Sequence, residues 1–267
     1  MAHVSKPHSS QALVIIPTYN ERDTIAEAVK RLLAAAGDSV EVLVVDDGSP
    51  DGTGALVREL QLGSPSLHLL ERRRKLGLGT AYVEGFRKGI EQGYWALVEM
   101  DADLSHDPAA VPGLLVALAE ADLAIGSRYV PGGEVQDWSL DRKWLSRAGN
   151  IYARAWLGFP IKDSTSGLRA YRTEFLARQN LGSVVSRGYG FQIEMARRIY
   201  RAGGRIVEVP ICFTDRTLGR SKMSKRITFE AIGSVTIWGL RDRLGGRTPR
   251  FDADMPGKQS PGHHPKR

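Results

Sequence analysis

One stretch limits the fold more than any other: Trp95-Ala96-Leu97-Val98-Glu99-Met100-Asp101-Ala102-Asp103-Leu104-Ser105-His106-Asp107-Pro108. Residues 95–100, apolar apart from Glu99, have the length and composition of a mostly buried strand. Two carboxylates, Asp101 and Asp103, follow at its C-terminal end. An Asp-x-Asp turn offers a hard divalent cation two oxygen ligands from one short segment and leaves other positions for water and substrate phosphate. In an open α/β sheet, ligands bind beyond the carboxyl ends of the strands, where such a turn falls. Taken alone, the pair could instead be an acidic turn in which Asp103 or Ser105 caps a helix starting near Pro108. The rest of the chain decides between the two.

Strand, loop and helix alternate from the start. Residues 11–16 form an apolar run ended by Pro17, then Pro17-Thr18-Tyr19-Asn20-Glu21 leads to a helical pattern over about 23–36, with Asn20 or Asp23 as its N-cap. Residues 40–45 read as a buried strand delivering Asp46-Asp47-Gly48-Ser49-Pro50-Asp51-Gly52-Thr53 to its end, and a helix runs from Thr53 to about Leu60. Residues 67–70 are a third strand. The basic loop Arg72-Arg73-Arg74-Lys75-Leu76-Gly77-Leu78-Gly79 opens the next helix. This order predicts a largely parallel sheet covered by helices on both faces, with three polar, glycine-containing loops converging on one rim. Gly77-x-Gly79 lacks the spacing of the dinucleotide fingerprint, which argues against a nicotinamide dehydrogenase. A nucleotidyltransferase would carry a glycine-rich, lysine-bearing loop after the first strand, where Pro17 to Glu21 stand here.

Past Pro108 a helix is expected to about Glu120, then a strand over 123–125 entering Gly126-Ser127-Arg128-Tyr129. Arg128 could meet a phosphate or carboxylate ligand, or pair with a nearby acid. Residues 138–157 read as a helix on which Arg142, Ser146 and Asn150 share a face. Trp144, Ala148, Ile151, Ala155 and Trp156 form a broader apolar face. Two readings stay open for this helix: an interface helix on an anionic bilayer, or a core-packed helix with a solvated basic face. Asp163-Ser164-Thr165-Ser166-Gly167-Leu168-Arg169-Ala170-Tyr171 is a polar loop leading into a strand, and residues 188–194 open a helix. Residues 207–213 are a late strand. The loop that follows, with Arg216, Arg220 and Lys222, suits a diphosphate. A last helix spans about 224–240, and residues 245–267 have the composition of a disordered basic tail.

At 267 residues the chain suits a single catalytic domain over residues 11–244. Cys212, the single cysteine, excludes an intramolecular disulfide and a thiolate zinc cluster. It is read as a core residue in a reducing cytoplasm. No apolar run reaches the about 18 residues of a bilayer span. Residues 1–10 are polar, read as flexible, and lack the apolar segment of a signal peptide. A net charge of +7 admits nucleic acid, an anionic membrane or phosphorylated small molecules. No nucleic-acid-binding motif is present, which leaves the last two.

Together, Pro17 to Glu21, Asp46-Asp47-Gly48-Ser49, Asp101-Ala102-Asp103 and the segment from Arg216 to Lys222 resemble the inverting family 2 glycosyltransferases, of the Rossmann-like, nucleotide-sugar-binding GT-A type. Leu76-Gly77-Leu78-Gly79, residues 163–171 and Phe213-x-x-Arg216-x-x-Gly219-x-Ser221-Lys222 narrow the resemblance to polyprenyl-phosphate (dolichyl-phosphate) mannose synthases. The resemblance implies transfer of mannose from GDP-mannose to a polyprenyl phosphate, with Mg²⁺ or Mn²⁺. The nearest alternative is another donor, such as UDP-glucose. By motif, Pro17, Tyr19, Glu21, Val45 and Asp47 would hold the nucleoside. Asp101 and Asp103 would hold the metal, with Ala102 giving a backbone contact. Arg128, Arg216 and Lys222 would meet phosphates or sugar, and Arg142 and Ser146 the acceptor phosphate. Ser105 stands where some relatives have a glutamine, and Glu99 has no counterpart role. The C-terminal membrane helices of some relatives are missing. A peripheral position on the cytoplasmic face is therefore expected, through the helices at 139–157 and 224–240 or an integral-membrane partner protein.

Overall fold

The computed structural model describes residues 10–186, 188–215 and 225–245, the last segment with side chains from residue 230. Its centre is a seven-stranded sheet: β1 (Ala12–Thr18), β2 (Val40–Asp46), β3 (Leu67–Glu71), β4 (Ala96–Glu99), β5 (Leu123–Ser127), β7 (Arg169–Arg172) and β8 (Ile206–Pro210). The order across it is β3-β2-β1-β4-β7-β5-β8. β7 is antiparallel to both neighbours and every other pairing is parallel. β6 (Glu134–Val135) and β9 (Cys212–Phe213) form a separate parallel ribbon beside it.

Alternation along the strands builds two apolar layers. Leu13, Ile15, Leu43, Val45 and Leu97 face α3 (Leu78–Gln92) and α7 (Tyr189–Arg201), whose Tyr82, Phe86 and Phe191 complete that layer. Val14, Ile16, Val42, Val44 and Val98 face α1 (Arg22–Ala36), α2 (Thr53–Gln61) and α4 (Val111–Ala117). α5 (Leu140–Leu157) and α8 (Lys225–Arg243) pack on the first layer, through Ala153, Leu157 and Val235. The short α6 (Thr173–Ala177), without an apolar period long enough to read from sequence, joins β7 to the segment before α7.

Several boundaries differ from the sequence reading, each for a local reason. β1 runs through Pro17 to Thr18. Ile15 O accepts from Met100 N, so the N–H that Pro17 lacks would point at β4 just beyond where that ladder ends. Neither Asn20 nor Asp23 caps α1. The N-cap position is Glu21, and Asn20 stands one residue outside in a left-handed turn at φ 57°. After β4, Asp107 is the cap, its Oδ1 accepting from Ala109 N at 3.0 Å, so Asp103 and Ser105 are released from that duty. The late strand breaks into β8 and β9 after Pro210. Cys212 accordingly lies half-buried in the outlying ribbon rather than in the core.

Candidate active site

The sheet order reverses direction between β1 and β4, where chain connections leave to opposite sides. A cleft of about 1110 Å³ opens there at the carboxyl ends of the strands. One side is the loop after β1: Pro17, Tyr19 and Glu21 line the cleft, and the Lys75 ammonium sits 3.9 Å over the Tyr19 ring. Asp47 also lines it, but its carboxylate is engaged within the protein. Arg72 Nε lies 2.6 Å from Oδ1, while the backbone N–H groups of Leu76 and Gly77 donate to Oδ2 at 3.2 and 2.8 Å. Asp46 ties the same loops together, accepting from Thr18 Oγ1 and from Ser49 N at 2.9 Å each. Gly48, at φ +68°, passes so close to Arg72 O that an added Cβ would stand 3.0 Å away. Val45 does not reach the cleft. Strand alternation turns its side chain into the apolar layer.

Asp101, Ala102 and Asp103 all line the cleft. The Tyr82 hydroxyl donates to Asp101 Oδ1 at 3.3 Å, and His106 Nε2 lies 3.8 Å from Oδ2. Asp103 Oδ1 accepts from Ser105 N at 3.0 Å across a turn whose Leu104 has φ 61°. A Cβ on Gly167 would come within 2.8 Å of Asp101 Oδ2, so this carboxylate fits only against a glycine. Ser105 Oγ is buried in the cleft wall without a hydrogen-bond partner. Among the described residues no group of three or more His, Cys, Asp and Glu is placed to hold a metal. Two carboxylates beside a hydroxyl therefore fit a hard cation that completes its coordination with water and a phosphorylated substrate, rather than an all-protein cage.

α5 supplies the opposite wall. Arg142 lines the cleft and its Nη1 donates to Asp215 Oδ2 at 2.7 Å. Ser146 lies one turn deeper, its Oγ accepting from the Tyr129 hydroxyl at 2.7 Å, outside the lining of the cleft. Asn150 is buried, with Oδ1 accepting from Ser164 N at 2.8 Å. The shared face expected from sequence is thus the face turned toward the protein. Leu140 (77% exposed), Trp144 (71%), Leu145 and Ile151 point outward, so the core-packed reading of this helix fails for them. Trp156 alone of the expected apolar face turns inward. Gly239 of α8 sits so close that an added Cβ would lie 2.7 Å from Trp156 O. Arg216 and Lys222 lie outside the described residues, as do residues 1–9 and 246–267.

Residues 13–178 match the profile described as Glycosyl transferase family 2. The chain belongs to this family. The transferase is 51% identical over 241 residues to an undecaprenyl-phosphate mannosyltransferase of Micrococcus luteus, covering 90% of this chain and 99% of that one. It is 52% identical over 238 residues to a polyprenol monophosphomannose synthase of Mycolicibacterium smegmatis, covering 88% and 89%. Among solved structures, glucosyl-3-phosphoglycerate synthase of Mycobacterium tuberculosis, crystallised with Mn²⁺, UDP and glucosyl-3-phosphoglycerate, superposes with a TM-score of 0.61 at 22% identity. That match covers 90% of this chain and 81% of the other. It establishes the fold, which is the GT-A type.

Around and behind the cleft the transferase holds four buried ionisable side chains, Arg169, Arg128, Asp163 and Glu99. Arg169 is fully buried and donates to the carbonyls of Ser166, Gln192 and Ser164 at 2.8, 2.7 and 2.6 Å, bracing the segment that carries Gly167. Sequence reasoning named no role for it, because carbonyl partners leave no trace in residue types. Arg128 makes a two-pronged ion pair with buried Asp163, Nε to Oδ2 at 2.7 Å and Nη2 to Oδ1 at 2.6 Å. Of its two expected partners the acid is the one it meets, and it does so in the interior rather than at the surface, at the edge of the cleft. Burial alone would push the Asp163 carboxyl up, but the Arg128 guanidinium holds it below the usual range. Glu99 is buried behind the Asp-x-Asp turn and accepts from the Tyr171 hydroxyl at 2.9 Å. Burial pushes its carboxyl up to about 7, against the opposing pull of Arg169.

Proposed function

We propose that this transferase moves mannose from GDP-mannose to a polyprenyl monophosphate, with inversion, giving a β-linked polyprenyl phosphate mannose and GDP. The observation that carries the reading is the pair Asp101 and Asp103 facing Arg142 across one cleft, in a chain about half identical to two enzymes named for mannosyl transfer to such lipids. Mg²⁺ or Mn²⁺ held by Asp101 and Asp103, when bound, supplies neutralisation of the departing diphosphate. Pro17, Tyr19 and Glu21 take the nucleoside, with Asp47 holding the Arg72–Gly77 loop against it and Ala102 lying under the diphosphate. Arg216 and Lys222 add positive charge to the leaving group. Arg142 orients the acceptor phosphate, with Ser146 behind it. The attacking phosphate oxygen is already anionic at neutral pH, so no general base is required. Arg128, committed to Asp163, shapes this end of the cleft.

The outward apolar side of α5 suits a membrane interface, where Trp144 and Leu140 enter the headgroup layer and flanking Arg147 and Arg154 meet anionic lipid. Among the described residues no helix is long and apolar enough to cross a membrane. The proposed attachment is by this helix, by α8 or through an integral-membrane partner, on the cytoplasmic face. The test is direct: incubate the protein with polyprenyl phosphate, Mg²⁺ or Mn²⁺, and GDP-mannose, UDP-glucose or UDP-GlcNAc separately, then extract the lipid. Labelled lipid is expected with GDP-mannose alone; transfer from a uridine donor instead would replace the donor assignment. Asp103→Ala is expected to lower turnover at least about a hundredfold, as removal of a charge-stabilising group does, with the unfolding midpoint unchanged. Retained turnover at saturating metal would overturn the role given to the carboxylate pair.

A further inference from the structure

The arginine proposed to meet the acceptor phosphate is paired with an acid just outside the cleft lining. Asp215 accepts from Arg142 Nη1 at 2.7 Å, and both side chains are about one-third exposed, at 35% and 34%. Arg142 is fixed on a second side. Its guanidinium carbon lies 4.1 Å from the Trp138 ring centroid, so one flat face is covered. Trp138 is buried and set edge-on to Phe213 at 5.3 Å, and Phe213 is set edge-on to His106 at 4.9 Å. The backbone repeats the connection. Phe213 pairs with Val135 in the ribbon and bridges to His106, and Thr214 N donates to Ser105 O at 3.1 Å. Asp215 is therefore held, one residue on, in register with the Asp-x-Asp turn.

We infer that Asp215 is a positioning residue for the acceptor: it fixes the Arg142 fork so that its remaining donors face the phosphate at a set distance from Asp101 and Asp103. The inference rests on the reading of Arg142 as the acceptor-phosphate ligand. A guanidinium has five N–H donors in a rigid plane, and one carboxylate oxygen on Nη1 leaves the other edge available for a phosphate. An arginine already pinned by a carboxylate and an aromatic face loses little freedom when the ligand arrives. The acid weakens the local positive potential, and the gain in orientation outweighs that loss because both partners, each one-third exposed, are partly screened by solvent.

The experiment is a double-mutant cycle on Arg142→Ala, Asp215→Ala and the pair, read as KM for a short-chain polyprenyl phosphate, KM for the sugar nucleotide, and kcat. Direct binding of the short-chain polyprenyl phosphate is measured alongside. Asp215→Ala is expected to raise the acceptor KM and Kd about tenfold, with the donor KM unchanged and no further effect in the Arg142→Ala background. Asp215→Glu should recover part of the loss, and Asp215→Asn, which keeps an accepting oxygen, more of it than Ala. A merely structural role would lower the unfolding midpoint and move both KM values together. An unchanged acceptor KM in Asp215→Ala, or a lower one, which would make the acid a competitor of the phosphate, overturns the inference while leaving Arg142 in place. An unchanged acceptor KM and Kd in Arg142→Ala instead overturns the acceptor reading itself.

Discussion

At the scale of single residues, the transferase depends on charges that have been taken out of water and then matched. Arg128 and Asp163 are both buried, and each satisfies the other through two parallel hydrogen bonds. Asp163→Asn would strand a guanidinium in the interior, so unfolding in urea is expected to show a loss of about 3–5 kcal/mol. Because the Asp163 carboxyl is held below its ordinary range, the stability it contributes is present above that range and is lost on acidification through the depressed value. Glu99 behaves in the opposite sense. Raised from 4.5 to about 7, it keeps a proton in the folded protein that the unfolded chain has already released, so its contribution falls as pH rises across that window. Glu99→Gln should remove this slope. Thermal unfolding at pH 5.5 and 8.5 is expected to show the wild type losing on the order of 2 kcal/mol relative to the variant between the two; parallel profiles for the two proteins would show that Glu99 ionises normally. The sequence displayed the Asp101–Asp103 pair and the stripe of Arg142, Ser146 and Asn150, because each spacing is local. It hid the Arg128–Asp163 pair, whose members lie 35 positions apart, and it could not show that strand alternation turns the Val45 side chain into the apolar layer.

At the scale of elements, α5 holds the protein by a polar stripe, Arg142, Ser146 and Asn150, and by Ala153 and Leu157 on the core, while Leu140, Trp144, Leu145 and Ile151 face out. The period of four linking Arg142, Ser146 and Asn150 could be read from the chain, since side chains four apart stack on one helical face. Which stripe turns inward could not, because that depends on polar partners brought from afar, namely Tyr129, Ser164 and Asp215. Apolar area left in water costs about 25 cal/mol per Å², and the exposed Leu140, Trp144, Leu145 and Ile151 are the residues on which the proposed lipid contact is tested. Flotation with vesicles containing anionic lipid should carry the wild-type protein upward, less so at high salt. Trp144→Asp with Leu140→Asp should remain behind at least about tenfold more, with the unfolding midpoint retained. Equal flotation of the two proteins would move attachment to α8 or to a partner. The helix boundaries were legible to within a few residues, and the misreadings at α1 and after β4 arose from caps. Asp107, not Asp103 or Ser105, accepts from the Ala109 N–H, so the Asp-x-Asp pair is not drawn into the helix cap.

At the scale of the whole molecule, alternating strands and helices were enough to foretell a doubly covered sheet with its working edge at the strand ends. What they did not foretell was the direction of β7. It lies between β4 and β5 and runs against both. A strand reversed in this way approaches the working edge with its beginning, so residues 163–168 arrive beside the turn that β4 delivers with its end. Gly167 against Asp101 is the point where the two meet. Here the segment is wedged between two load paths, anchored by Arg169 beneath and Asn150 to the side. A side chain at position 167 would have to push the Asp101 carboxylate from its place, so the shape of the Asp-x-Asp turn is tied to a neighbour that carries none.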